Sequence, residues 1–271
     1  MKKVYTSDTK NIWINHHVDF VNNPALATKE DAHLLYRLHQ YFRDGQGVER
    51  DDEKAFELCN RAAELGDGIA LNDLGVCYEQ GIGTAIDYEK AFQYYQQAAQ
   101  CDVPEGYLNL GYALADGRGT KTDFKEAFKC FAKAAKLGMP EGMCAVGHCY
   151  NYGEGVKQNF EKAFQYWSVA ATYGDSEAMN SIGYAFEKGR GVEKNDLWAF
   201  KYYWKGASCG DAIAASNVAE CFLIGKGTRK DLDEALNWYV EAKYRRHCNE
   251  FRIKELRDLF IQHGVKKELV D

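Results

Sequence analysis

Proline is scarce in this sequence: 271 residues contain three. Proline breaks the helical hydrogen-bond ladder, so a chain this poor in it is free to be mostly helix. No run of about 20 apolar residues occurs, the length a membrane-spanning helix needs. Met1-Lys2-Lys3-Val4-Tyr5-Thr6-Ser7-Asp8 carries positive charge without the apolar stretch of a secretory signal. A cationic excess is missing too. Lys and Arg number 34 against 40 Asp and Glu, a formal net charge of -6, whereas a general nucleic-acid binder needs a basic face. The nine cysteines are odd in number and follow no even framework, which fits a reducing compartment better than an oxidising one. A cytoplasmic protein, with neither nucleic acid nor membrane as partner, is expected. Hydrophobic content of 46% with 27% charge belongs to a folded chain, not a disordered one.

What is present is a repeat. Gly-x-Gly occurs as Gly45-Gln46-Gly47, Gly81-Ile82-Gly83, Gly117-Arg118-Gly119, Gly153-Glu154-Gly155, Gly189-Arg190-Gly191 and Gly225-Lys226-Gly227, always 36 residues apart. A fixed period of this length signals stacked supersecondary units. Before each loop lies an apolar helical stripe, as in Ala70, Leu74 and Tyr78. This helix A opens with a capping Asp (Asp31, Asp67, Asp175, Asp211) or with Pro104 or Pro140 at its first position. The first loop glycine suits the left-handed helix end. Four residues after the second glycine, Asp51, Asp87, Asp123, Asn159, Asn195 and Asp231 can cap a helix B. Helix B then carries an aromatic position, Tyr95, Phe131, Trp167, Tyr203 and Tyr239, with Cys59 as the exception. Small pairs such as Ala98-Ala99 follow, and the aromatics are read as packing rather than as a cofactor box. The middle loop residue changes from copy to copy, which directs attention away from it.

The expected organisation is residues 1–30 as an N-terminal cap or partner-binding arm, six helix pairs (31–66, 67–102, 103–138, 139–174, 175–210, 211–246), and 247–271 as a C-terminal cap and tail. Ile12-Trp13-Ile14 and Val18-Asp19-Phe20-Val21 suggest one short amphipathic helix near the start. Phe251, Leu256, Leu259 and Phe260 form the stripe of another at the end.

The unit Ala-x3-Leu-Gly-x2-Tyr, Gly-x-Gly, Asp-x3-Ala-Phe-x2-Tyr-x2-Ala-Ala-x2-Gly resembles the SEL-one-like repeat family, relatives of the tetratricopeptide repeats. The resemblance implies an all-α, right-handed α/α superhelical solenoid whose A helices line a concave groove. It further implies a non-enzymatic protein–protein interaction scaffold, with toxin neutralisation by an immunity-type protein among the family's roles. Some relatives bridge each helix pair with cysteines; no such regular pair recurs here.

On the tetratricopeptide pattern, four rows of helix A positions would face the groove. The first is His33, Ile69, Glu105, Glu141, Glu177 and Ile213; the second is Tyr36, Asn72, Leu108, Cys144, Asn180 and Ser216. The third is Gln40, Val76, Tyr112, His148, Tyr184 and Glu220; the fourth is Arg43, Glu79, Ala115, Asn151, Glu187 and Leu223. Tyr36, Glu105, Tyr112, Glu141, His148, Tyr152, Glu177, Tyr184, Glu187 and Glu220 are the candidate partner-binding residues, and their acidity favours a basic or mixed partner surface. Glu105, Glu141 and Glu177 also sit in first helical turns, where a carboxylate complements the helix dipole regardless of any ligand.

Chemistry has few footholds. His16-His17 and His33 lie near no nucleophile pattern, and the glycine pairs follow no strand and carry no phosphate-loop lysine. Cys77, Cys149 and Cys221 share a small buried helix A slot, and Cys101 with Cys209 is expected to pack at the end of helix B. Cys144 and His148, four apart on one face, could begin the metal or thiol site of an enzyme, but two ligands are too few. Neither a catalytic residue, a metal nor a cofactor is expected.

Overall fold

The computed structural model describes residues 18–244 and 250–270. Among them there is no strand, and no helix is long and apolar enough to cross a membrane. The chain forms two compact units, Met1–Leu137 and Gly138–Asp271, with the division falling between the third and fourth repeats.

The first unit opens with α1 (Val18–Asn22) and two 3-10 turns, then α2 (Ala32–Asp44), α3 (Asp52–Glu64), α4 (Gly68–Gln80), α5 (Tyr88–Gln100), α6 (Pro104–Asp116) and α7 (Phe124–Lys136). The second holds α8 (Pro140–Tyr152), α9 (Phe160–Thr172), α10 (Ser176–Lys188), α11 (Asp196–Ser208), α12 (Ala212–Ile224), α13 (Leu232–Tyr244) and α14 (Glu250–Gln262). Within each unit every helix packs on the next from α2 to α7 and from α8 to α14. Even numbers up to α12 are A helices and their odd followers B helices, an all-α solenoid of helix pairs.

The punctuation explains the constant period. Asp51, Asp87, Asp123, Asn159 and Asn195 each accept a backbone N–H from the first turn of the following B helix, which offsets an orphan donor there. Each A helix ends on a left-handed glycine, from φ 66° at Gly45 to 78° at Gly153, whose amide donates to the carbonyl four residues back. The second loop glycine answers a different demand. At Gly191 φ is 72°, and a Cβ there would run into the carbonyl oxygen of Phe160, at the start of the preceding B helix. The loop therefore reaches back onto the previous helix pair at a distance open only to glycine.

In the second to fifth pairs one glycine makes room for one ring, while the sixth sets Ala219 against Tyr239. A Cβ on Gly75 would lie 2.6 Å from Tyr95, and one on Gly111 or Gly183 would lie 2.5 Å from Phe131 or Tyr203. The rings are buried, with Trp167 and Tyr203 each 2% exposed. The first repeat inverts this pairing: His39 stands at the glycine position and Cys59 at the ring position. Both are fully buried, and His39 Nδ1 lies 2.9 Å from the Ala55 carbonyl. The imidazole thus fills the volume that an aromatic fills elsewhere, which accounts for Cys59 as the exception in its row.

Ile12-Trp13-Ile14 and His16-His17 fall outside the described residues. The rest of the N-terminal segment sits on the first repeat: Phe20 and Ala27 join its core cluster, and Arg61 donates to the Ala27 carbonyl at 3.0 Å. Asp31 does not cap α2 with its side chain; it accepts from Thr28 N and Oγ1, both at 2.8 Å. At the other end Leu256 and Phe260 are buried beside Tyr239, whose hydroxyl donates to the Val270 carbonyl at 2.7 Å. Cys77, Cys149 and Cys221 are buried as expected, but Cys101 and Cys209 are exposed. They sit on the residue that ends helix B, where the backbone turns away from the stack before the next A helix begins.

Candidate functional site

The four A-helix rows separate by burial. All six first-row residues are exposed, as a ligand-facing row should be. The second row is turned into the stack. Tyr36 Oη donates to Asp73 at 3.0 Å, Asn109 Nδ2 to Asn72 at 2.9 Å and Asn217 Nδ2 to Asn180 at 2.8 Å. Each bond joins a second-row residue to one 37 positions on, so this row ties successive A helices together. Tyr36 is 7% exposed and its phenol is pushed up by burial and by Asp73. It is a strut of the first unit, buried against the next A helix.

The fourth row forms a second tie, and here the middle loop residue matters. Glu79 accepts from Tyr95 Oη at 2.9 Å and pairs with Arg118. Glu187 accepts from Tyr203 Oη at 2.7 Å and pairs with Lys226 at 3.0 Å and Lys188 at 2.6 Å. Arg118 and Lys226 are centres of Gly-x-Gly loops, set aside at first because the position varies. Burial opposes the Glu187 charge, yet the bonds from Lys188, Tyr203 and Lys226 prevail and hold its carboxyl at about 2. In the fourth repeat the equivalent residues are Asn151, Trp167 and Arg190, and the tie is not made. Arg190 lies instead over the Phe160 and Tyr184 rings. Asn151 Oδ1 and Trp167 Nε1 are buried with no hydrogen-bond partner among the described residues.

That interrupted layer borders a cavity of about 530 Å³ in the second unit. His148, Asn151 and Tyr152 from α8, Glu177, Tyr184 and Glu187 from α10, and Ile213 and Glu220 from α12 line it, with Trp167 and Tyr203 from the B helices behind. Six of the ten candidate residues therefore meet at one cavity. Tyr152 is 62% exposed at its rim. Glu141 is exposed on α8 but does not line the cavity, while Glu105 and Tyr112 are exposed on α6 of the first unit.

One corner brings together more than the sequence suggested. Cys144 Sγ lies 3.5 Å from His148 Nε2, and Glu177 Oε1 lies 3.2 Å from the same nitrogen. The bond from His148 lowers the Glu177 carboxyl, whereas burial, with Glu177 and Asp175 nearby, holds the Cys144 thiol well above its ordinary range. The third member, 33 residues beyond Cys144, comes from the next A helix and follows no local spacing.

A second concavity, about 680 Å³, lies on the B-helix side, where Trp198, Phe200, Tyr202, Trp204 and Phe222 meet Lys201, Lys205 and Arg229. Trp198 is 44% and Trp204 38% exposed, so not all aromatics are packing. Trp198, Phe200, Tyr202, Tyr203 and Trp204 go all round one helix, and a single buried stripe cannot absorb them all.

Stacked helix pairs, joined by glycine loops and varying on one A-helix face, define an α/α repeat protein of the kind used as a protein-interaction scaffold. The Sel1 repeat matches residues 34–67, 68–103, 104–139, 140–175, 176–211 and 212–245, and the chain belongs to the Sel1 repeat family. Among solved structures it is similar to a Sel1 repeat protein from Oxalobacter formigenes, with 27% identity and a TM-score of 0.74 over 85% of this chain and 94% of that one. It is also similar to a protective antigen of uropathogenic Escherichia coli, with 27% identity and a TM-score of 0.70 over 93% of this chain. The match spans 54% of that antigen's length. An immunity protein from Pseudomonas aeruginosa is 25% identical with a TM-score of 0.51, over 88% of this chain and 86% of that one. Among curated proteins, none matches the sequence.

Proposed function

We propose that this protein is a non-enzymatic cytoplasmic scaffold that binds a partner protein through the A-helix face of its second unit. The observation carrying this reading is the cavity between α8, α10 and α12. Its A-helix walls are positions that vary among repeats, and they combine the exposed ring of Tyr152 with the carboxylates of Glu177 and Glu220, while Glu187 is already engaged by Lys188 and Lys226. A basic or amide-bearing side chain of the partner, anchored beside Tyr152 and Tyr184, fits that set. The stack is pre-ordered, so little conformational entropy is lost on binding.

A Glu177→Lys/Glu220→Lys variant tests this. Partner capture from the native organism should fall sharply while helical circular dichroism is unchanged. Equal capture by the variant sinks the cavity assignment.

A narrower reading, favoured by the likeness to the Pseudomonas aeruginosa immunity protein, is that the partner is a toxin acting in the same cytoplasm. Co-expression with a toxin encoded beside the gene should then restore growth, and the cavity variant should fail to do so. Growth arrest that the wild-type chain cannot relieve would reject it.

A further inference from the structure

His148 Nε2 is approached by two other ligating atoms, Cys144 Sγ at 3.5 Å and Glu177 Oε1 at 3.2 Å, and all three atoms lie within 4.8 Å of one another. Thiolate, imidazole and carboxylate are the donor types zinc takes. We propose that Cys144, His148 and Glu177 form a binding site for a divalent transition-metal ion of zinc's class, with the fourth coordination position open to the cavity between α8, α10 and α12.

The edge lengths carry the proposal. Bonds of about 2.3 Å to sulfur and about 2.0–2.2 Å to nitrogen and oxygen, at tetrahedral angles, put sulfur about 3.6 Å from nitrogen and nitrogen about 3.4 Å from oxygen. The observed edges are 3.5 and 3.2 Å. The sulfur–oxygen edge would also be about 3.6 Å; Glu177, with a side chain 58% exposed, has room to close it. Hydrogen bonding through Nε2 serves one of these two neighbours at a time. A neutral imidazole nitrogen either donates or accepts, so Nε2 cannot donate to the Glu177 carboxylate and accept from the Cys144 thiol together. A metal ion at the centre satisfies all three.

The surroundings favour a built site. Cys144 and His148 are one turn apart on α8, and Glu177 stands in the first turn of α10. The His148 ring is held between Tyr152, 6.3 Å away and stacked, and Trp167, 5.4 Å away edge-on. The triad is also particular to this junction. The same three positions read Tyr36, Gln40, Ile69; Asn72, Val76, Glu105; Leu108, Tyr112, Glu141; and Asn180, Tyr184, Ile213 at the others. Stacking therefore does not require it. On binding, the ion takes the place of the thiol proton, which leaves to solvent. Thiolate, carboxylate and a dication then sum to zero charge, which suits a half-buried location.

The inference does not depend on the identity of any protein partner. The test is titration of the chelator-treated full chain with Zn2+ by calorimetry and with Co2+ by absorbance, where a thiolate-to-cobalt charge-transfer band reports Cys144. One equivalent should bind. Cys144→Ala should abolish binding and the cobalt band. His148→Gln and Glu177→Gln, each checked for unchanged helical circular dichroism, should weaken binding by at least the roughly 10–100-fold that loss of an outer-sphere partner costs. Cys101→Ser/Cys209→Ser, which removes the two thiols exposed among the described residues, should bind as the wild type does. Absence of saturable binding, binding that survives Cys144→Ala or either glutamine variant, or binding lost with the exposed thiols would each overturn the proposal.

Discussion

Gly183→Ala asks whether the helix stack depends on one missing methyl group. Gly183 lies in the interior of α10, and helix propensity alone would make alanine there more stable by about 1 kcal/mol. Packing opposes this. The new Cβ would stand 2.5 Å from Tyr203 Cδ1 and 2.7 Å from Cε1, where ordinary contact begins at 3.4 Å. The ring would have to retreat by about 0.9 Å, from 2.5 to 3.4 Å. Tyr203 has nowhere to go: it is 2% exposed, and its hydroxyl is bound to Glu187 at 2.7 Å. Overpacking costs about 1–3 kcal/mol, and loosening a hydrogen bond to a charged carboxylate adds about 1.5–3 kcal/mol if the bond is lost. Packing outweighs propensity, and a net destabilisation of about 2 kcal/mol is expected. For a unit of this size that corresponds to a fall in melting temperature of about 4–8 °C by circular dichroism. An unchanged or raised melting temperature would refute the reasoning. The first repeat supplies the rescue, because His39 and Cys59 already exchange the volumes of the two positions. Gly183→His alone should be severely destabilising, and Gly183→His/Tyr203→Cys should recover part of the loss, with a coupling of about 0.5–3 kcal/mol. Additive effects would mean that the two positions do not share one volume.

Acid stability should report the Glu187 tie. Its carboxyl is held at about 2 in the fold against an ordinary 4.5, so the contribution is complete above about 4.5 and is lost as pH falls towards 2. That lowering is worth about 3 kcal/mol. Urea denaturation of Glu187→Gln should therefore show a shallower loss of stability over that acid range than the wild type, and parallel curves would contradict the assignment. Native thiol labelling followed by mass spectrometry should modify Cys101 and Cys209 quickly and leave Cys130, Cys149 and Cys221 slow. Those three are buried, and burial pushes their thiols up, to about 11 for Cys130 and Cys149 and about 12 for Cys221. Rapid modification of the three buried residues would show that the pairs open in solution.

The helix pairs, their caps and their buried rings could be read from the chain because each is set by a local rule at a constant offset. Asp87 caps whatever helix follows it, and Gly81 ends whatever helix precedes it. The site residues could be read only in part. His148, Tyr152, Glu177, Tyr184, Glu187 and Glu220 were found by assuming that variable helix A positions face a ligand, and those six do meet at one cavity. The same assumption did not foresee that Tyr36 would turn to the next A helix, where Asp73 takes its hydroxyl. It also gave no hint that Glu187 would be engaged from inside by Tyr203 and Lys226.

Those misreadings share a cause. What a side chain does here depends on a residue 37 or 39 positions further on, in the next helix pair, and one repeat read alone does not contain that residue. Glu79 finds Arg118 and Glu187 finds Lys226, so both act as ties. Asn151 has Arg190 at the same offset and a tryptophan in place of the tyrosine, so it makes no tie and its acceptor is buried without a donor among the described residues, beside the cavity. Variation at a helix A position is thus not by itself a sign of ligand contact. The sign is variation that leaves a cross-repeat partnership unmade, and the Asn151–Trp167–Arg190 layer is where the second unit meets that criterion. Restoring the tie with Asn151→Glu and Trp167→Tyr should place Arg190 on the new carboxylate and draw it off the Tyr184 ring. If the cavity is the recognition site, partner capture should fall even though the stack becomes better satisfied. A variant that is more stable to urea and still captures the partner at wild-type yield would show that the open layer is only a packing defect.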